Sequence, residues 1–142
     1  MSRLLWVDDD GSLLDRQIEW LTRVGFEVQV APTVDHAWAL LTDKQVKFDG
    51  VILDMMMGTG ALLASAETMG GLRTGQIFLQ RLTDHGLLNN KTAFIYTASD
   101  NQEIKDFCTS INVPLYSKLE YPGKAIALIA VEVFGRPRRD PT

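Results

Sequence analysis

The sequence predicts an α/β domain, a parallel sheet with helices on both faces, on three observations. Short apolar runs rich in Val, Ile and Leu alternate with longer segments whose apolar residues recur at helical spacing. Regular alternation of this kind is the pattern of repeated strand–helix–strand crossovers. The chain's 142 residues make one domain, and 46% hydrophobic with 23% charged residues suffices for a real core.

Arg3–Val7 is the first strand, short and apolar. Ser12 is placed to cap a helix carrying Leu14, Ile18, Leu21 and Val24 at helical spacing, and Gly25 stands where a glycine stop belongs. Glu27–Ala31 is the second strand, with Val28 and Val30 alternating. Thr33 caps a helix presenting Ala37, Trp38, Leu40 and Leu41. Val51–Leu53 is the third strand and runs into Asp54. Ile77, Phe78, Leu79 and Leu82 mark the third helix, which ends before Gly86. Thr92–Thr97 is the fourth strand. Asp100 precedes a helix with Ile104, Phe107, Cys108 and Ile111 on one face. Leu115–Ser117 is the fifth strand, and the last helix carries Ile126, Ile129, Ala130 and Val133 before Gly135 and Pro137. Two segments fall outside the alternation. Gly58–Thr74 is too long for a usual strand-to-helix loop, and residues 136–142 form a polar tail.

Composition excludes several classes of function. With 14 Lys and Arg against 18 Asp and Glu, the net charge of −4 argues against a nucleic-acid binder held by phosphate contacts. No apolar run approaches the ~20 residues of a membrane span. The opening MSRLLWVDDD turns acidic too soon for a signal peptide. Cys108 is the single cysteine, so there is neither an internal disulfide nor a cysteine-based metal cluster. A soluble, cytoplasmic protein is expected.

Ligands of parallel α/β sheets bind beyond the carboxyl ends of the strands. There the first strand ends in Asp8-Asp9-Asp10, the third in Asp54, the fourth in Thr97, and the fifth runs into Lys118. Clustered carboxylates repel, by about 4 kcal/mol for a unit pair about 4 Å apart at an effective dielectric near 20. A hard divalent cation relieves that repulsion, and Mg²⁺ pairs carboxylates with phosphate oxygens. A hydroxyl and an ammonium opposite suit a phosphoryl group carried on one carboxylate. Asp10, taken alone, reads as a turn former or helix cap.

At these residues the chain resembles the receiver domain of two-component response regulators. The resemblance spans Arg3 to Phe134 and is carried by LLWVDDD, FDGVILDMMM, AFIYTAS and PLYSK, with Gly25-Phe26 at a spacing that suits the family's first helix. It implies a flavodoxin-like, doubly wound five-stranded parallel sheet in the order 2-1-3-4-5 with five helices. The receiver would occupy residues 1–135, with an insertion at 58–74 and a tail at 136–142. It makes Asp54 the phosphoacceptor. It assigns Mg²⁺ to Asp8, Asp9, Asp54 and the backbone carbonyl of Met56, and phosphate binding and switching to Thr97, Ala98 and Lys118. Gly75 matches the glycine that opens the third helix. The implied partners are a sensor histidine kinase or histidine phosphotransfer protein and a downstream protein target, with room for a homodimer but no direct contact with nucleic acid or membrane.

The chain departs from the family pattern in four places. Gly75 follows Asp54 by 21 positions, which lengthens that loop by roughly a dozen residues. Gly58 stands where a proline is usual. Leu119 replaces the proline after Lys118, so the Lys118–Leu119 bond is either trans or a strained cis form. Leu115 stands where a switching Tyr or Phe is common, and alternation turns the adjacent Tyr116 to the other face. Leu115, Tyr116, Gly58 and Gly71 are the candidate signalling surface, and the inserted loop is expected either to report phosphorylation or to be a disordered insertion with no role.

Two rival readings follow from the same residues. Asp8-Asp9-Asp10-Gly11-Ser12 looks like the D-x-D-G-[ST] signature of haloacid-dehalogenase-type phosphatases, with Asp8 as nucleophile and Asp10 as general acid. That reading leaves Asp54 without a role and lacks a late acidic pair for the metal. An interaction module that keeps the fold without phosphorylation would explain the changes at 58, 115 and 119, but not the retained Asp8, Asp9, Asp54, Thr97 and Lys118. The expectation is a phosphoacceptor that is not itself an enzyme, its output passing through contacts with another protein. His36 and His85 read as surface residues, Trp6, Trp20 and Trp38 as packing residues, and Met55–Met57 as divided between core and pocket rim. Gly58-Thr59-Gly60 is no phosphate loop, since no Gly-Lys-[Ser/Thr] follows.

Overall fold

The computed structural model describes residues 2–9, 14–55, 74–87, 92–98 and 102–137. Five strands, β1 (Ser2–Val7), β2 (Phe26–Ala31), β3 (Gly50–Leu53), β4 (Ala93–Thr97) and β5 (Leu115–Ser117), pair in parallel in the order β2-β1-β3-β4-β5. Between and after them run α1 (Asp15–Val24), α2 (Val34–Thr42), α3 (Thr74–Asp84), α4 (Gln102–Ser110) and α5 (Ala125–Phe134). The expected architecture and strand order are therefore those observed. β1, β2 and β3 each begin one residue earlier than their apolar patterns suggest, and β4 one later.

Alternation along the strands divides the core in two. Leu5, Val7, Val51, Leu53 and Ile95 point to one face and pack under Val34 and Ala37 of α2, Phe78 and Leu79 of α3, and Ile104 and Cys108 of α4. Leu4, Trp6, Ile52, Phe94 and Tyr96 point to the other, under Leu21 of α1 and Ile126, Ile129 and Ala130 of α5. Register puts Val7 beside both Ala31 and Leu53, and Thr97 beside Ser117. β1, β2 and β3 thus stop level, β4 and β5 stop level two residues beyond Ile95, the partner of Leu53, and the ends share one rim.

The helix ends follow side-chain chemistry, with one correction. The Thr33 hydroxyl accepts from the His36 N–H at 3.1 Å, as an N-cap should. Gly25 takes φ +118°, and its N–H reaches the carbonyls of Leu21 and Thr22. α1, however, opens at Asp15 with Leu14 in the capping position and no side-chain cap. Leu14 is buried, so its packing in the core anchors this end. Ser12 and Asp100, expected as caps, lie outside the described residues. Trp6 and Trp38 pack in the core as expected, but Trp20 lies on the surface, with the Arg23 guanidinium 5.0 Å from its ring centre. Among the described residues, no helix is long and apolar enough to cross a membrane.

Candidate functional site

Asp8, Asp54 and Lys118 each follow the last residue of a strand, and the backbone ladder runs on far enough to fix them. The Asp8 N–H donates to the Ala31 carbonyl (3.1 Å), that of Asp54 to Val7 (3.0 Å) and that of Lys118 to Thr97 (2.9 Å). Rigid strand ends therefore aim three side chains at one point. Thr97, the last residue of β4, adds the fourth.

The side chains meet. Thr97 Oγ1 donates to Asp54 Oδ1 at 2.7 Å, and Lys118 Nζ donates to Asp54 Oδ2 at 3.3 Å and to Asp8 Oδ2 at 2.7 Å. Both oxygens of Asp54 are thus engaged, one by a hydroxyl and one by an ammonium. Asp8 and Thr97 are fully buried and Asp54 nearly so, while Asp9 is exposed at the rim. One oxygen from each of Asp8, Asp9 and Asp54 lies within 4.8 Å of the others. Three carboxylates against one ammonium leave a formal surplus of two negative charges. Oxygen donors of that charge and spacing fit a hard divalent cation such as Mg²⁺.

The site shifts the lysine in a direction that follows from its neighbours. Burial alone would lower the Lys118 pKa, but the hydrogen bond it donates to Asp8 and the charges of Asp54 and Asp8 outweigh it and raise it above the ordinary lysine range. Tyr96, beneath the lysine, is raised above the usual phenol value by burial, with the Lys118 charge pulling the other way. A cavity of about 440 Å³ opens beside the carboxylates, between Asp9, Asp54 and Lys118 on one side and Leu14, Gln17 and Tyr96 on the other. Ala98 also borders it.

The long loop leaves and rejoins the site at one place. The Gly75 N–H donates to the Met55 carbonyl at 2.9 Å, so the chain on either side of residues 56–73 is tied together beside Asp54. A Cβ at Gly75 would collide with the backbone of Met55 and Asp54. Glycine is required for this close approach; Gly75 is the second residue of α3 rather than its first.

Asp8, Asp9, Asp54, Thr97 and Lys118 are thus brought together as the sequence suggested. Leu115 and Tyr116 fall on opposite faces, Leu115 against the core under α2–α4 and Tyr116 against that under α1 and α5. No cis peptide occurs among the described residues, which makes the Lys118–Leu119 bond trans. Met56, Gly58 and Gly71, and Asp10 of the phosphatase reading, lie outside the described residues. His36 and His85 are exposed as expected, although His85 sits edge-on to Trp38 at 5.1 Å. Sequence reasoning missed Tyr96 and Ser117. A signal for Tyr96 was present, since it shares the parity of Phe94 and precedes the site residue Thr97.

Solved structures share this architecture. The receiver domain of a Francisella response regulator superposes with a TM-score of 0.68 at 20% identity, covering 97% of this chain and 100% of that one. The CheY-like receiver domain protein of Methanospirillum hungatei gives 0.66 at 19%, covering 91% and 88%, and the Vibrio cholerae chemotaxis protein CheY4 gives 0.66 at 20%, covering 94% and 98%. No protein-family model matches the sequence, and no curated protein sequence does either. The chain therefore has the flavodoxin-like fold of response-regulator receiver domains. At such identities the shared fold leaves activity to be argued from the site.

Proposed function

We propose that this chain is a phosphoaccepting receiver of a two-component or phosphorelay pathway, phosphorylated on Asp54. The observation that carries the reading is the Asp54 carboxylate, held by the Thr97 hydroxyl on one oxygen and the Lys118 ammonium on the other, with Asp8 and Asp9 within reach of a shared cation.

Asp54 is the nucleophile. One of its oxygens bonds to the phosphorus of a phosphohistidine on a sensor kinase or phosphotransfer protein. The P–N bond breaks, and the leaving imidazole keeps the electron pair and takes up a proton. Thr97 and Lys118 fix the plane of the carboxylate before transfer and stand within reach of the phosphate oxygens after it. When bound at Asp8, Asp9 and Asp54, Mg²⁺ supplies the charge that offsets the carboxylates and the transferring group. The product is an aspartyl phosphate on the protein itself, so the chain is a signal carrier rather than a turnover enzyme. Its expected setting is the cytoplasm, where it passes the signal to a downstream protein without itself contacting nucleic acid.

Incubation with a small acyl phosphate and Mg²⁺ tests this. The protein takes up one phosphoryl group, peptide mapping places it on Asp54, and Asp54→Asn abolishes uptake. Label on Asp8, or undiminished labelling of Asp54→Asn, contradicts the reading and favours the phosphatase chemistry.

A further inference from the structure

Lys118 must hold its ammonium between carboxylates that belong to two different strands, yet it sits just past a three-residue strand at the edge of the sheet. The next residue gives it no apolar anchor, since Leu119 is 78% exposed. Something else must fix the turn that carries the lysine.

Two residues do so. Ser117 is buried, and its Oγ accepts from the Leu119 N–H at 3.2 Å while its carbonyl accepts from the Tyr121 N–H at 3.0 Å. That closes the turn on itself, and the Lys118 N–H ties its start to the Thr97 carbonyl of β4. Its far end is tied by Tyr96 of β4, whose hydroxyl donates to the Tyr121 carbonyl at 2.6 Å. Tyr96 is almost fully buried and stands edge-on to Trp6 at 5.9 Å, so its ring has little freedom. It acts as a strut from the central core to the far end of the turn. Its ring centre also lies 6.0 Å from Lys118 Nζ, at the outer limit of a cation–π contact. Tyr96 and Lys118 border the same cavity, so the ring limits where the lysine stem can lie.

We propose that Tyr96 is a positioning residue for phosphoryl transfer: its hydroxyl, through the Ser117–Tyr121 turn, sets the Lys118 ammonium between Asp8 and Asp54. The proposal rests on the receiver reading of Asp54. It differs from a purely structural role in what the hydroxyl controls. Removing it should leave a folded protein whose lysine is misplaced.

Tyr96→Phe tests this in the full chain, because it keeps the ring, its burial and the Trp6 contact. At saturating acyl phosphate and Mg²⁺, the initial rate of Asp54 phosphorylation should fall about tenfold, as expected for loss of alignment. The Lys118 ammonium resonance, protected from solvent exchange in the parent by its hydrogen bonds, should broaden or vanish in ¹⁵N-lysine spectra. Ser117→Ala, which loosens the same turn from its other end, should move both readouts in the same direction. An unchanged rate and an intact lysine resonance in a folded Tyr96→Phe protein would overturn the proposal, even if its melting temperature fell. If the parent protein takes no label at all, the receiver reading fails, and the lysine resonance still decides whether Tyr96 positions Lys118.

Discussion

The two faces of the sheet carry different kinds of side chain. All five aromatic residues on the described strands, Trp6, Phe26, Phe94, Tyr96 and Tyr116, point toward α1 and α5. Toward α2, α3 and α4 the buried hydrophobic side chains of the strands are Leu, Val, Ile and Ala. On the aromatic face the rings form two groups, Trp6 with Tyr96 beside the site, and Tyr116 with Tyr121 at 5.5 Å and with Phe94 at 5.8 Å, Phe94 in turn with Phe134 at 5.2 Å; the hydrogen bond from the Tyr96 hydroxyl to the Tyr121 carbonyl joins them. On the aliphatic face, Leu115 borders a hollow of about 430 Å³ beside Cys108 and Val113. Burial pushes the Cys108 thiol up to about 11, as expected of an inert core cysteine. Aromatic pairs have preferred geometries worth about 0.5–1.5 kcal/mol beyond their burial, which aliphatic contacts lack. The face with linked rings is also the face that holds Lys118 through Tyr96. Asp54 is thus linked to the aromatic face through Lys118 and the Tyr96 hydroxyl, and to the turn before α5 through the Tyr121 carbonyl, while the other face holds a hollow.

The rim is common to both faces and carries the largest expected effect. With Mg²⁺ at about a hundredfold excess over its Kd, the protein should gain roughly 3 kcal/mol of stability. Asp9→Ala, which removes the exposed ligand, should lose most of that gain in urea unfolding with and without the ion. Equal gains for both proteins would contradict the assignment of the metal site.

Coupling between neighbouring strands separates the faces more sharply. A double-mutant cycle of Phe94→Leu with Tyr116→Leu should show about 1 kcal/mol of interaction, the value of a good aromatic pair. The register-matched pair on the other face, Ile95 and Leu115, truncated to Val and Ala, should come closer to additivity. Similar coupling on both faces would remove the distinction.

The smallest effect is expected where the hollow is. Leu115→Phe places a ring beside space already present, so stability should change by less than about 1 kcal/mol in thermal or urea unfolding. A large loss would show that the hollow is not available to a side chain at 115.

The sequence carried the parts of this account that are local. Asp8, Asp9, Asp54, Thr97 and Lys118 were legible because each marks the end of an apolar run, and parallel strands bring those ends to one rim. Thr33 and Gly25 were legible because capping needs only neighbours within a turn. Tyr96 was not, because a tyrosine in a strand reads as a β-former. Its role depends on the Tyr121 carbonyl, 25 positions away. Ser12 as the cap of α1 was read from propensity and lies outside the described residues. Trp20 was read as core from residue type alone, yet its position on α1 faces solvent, beside Arg23.

If Asp54 is phosphorylated as proposed, the change should pass through Lys118, Tyr96 and the Ser117–Tyr121 turn, and one measurement tests that directly. Amide hydrogen exchange would be followed with and without a beryllofluoride mimic on Asp54. Protection should change at Tyr116–Tyr121 and along α1 and α5, while α4 and the aliphatic hollow keep their rates. Changes confined to α4 and Leu115, with Tyr116–Tyr121 unaltered, would contradict the claim.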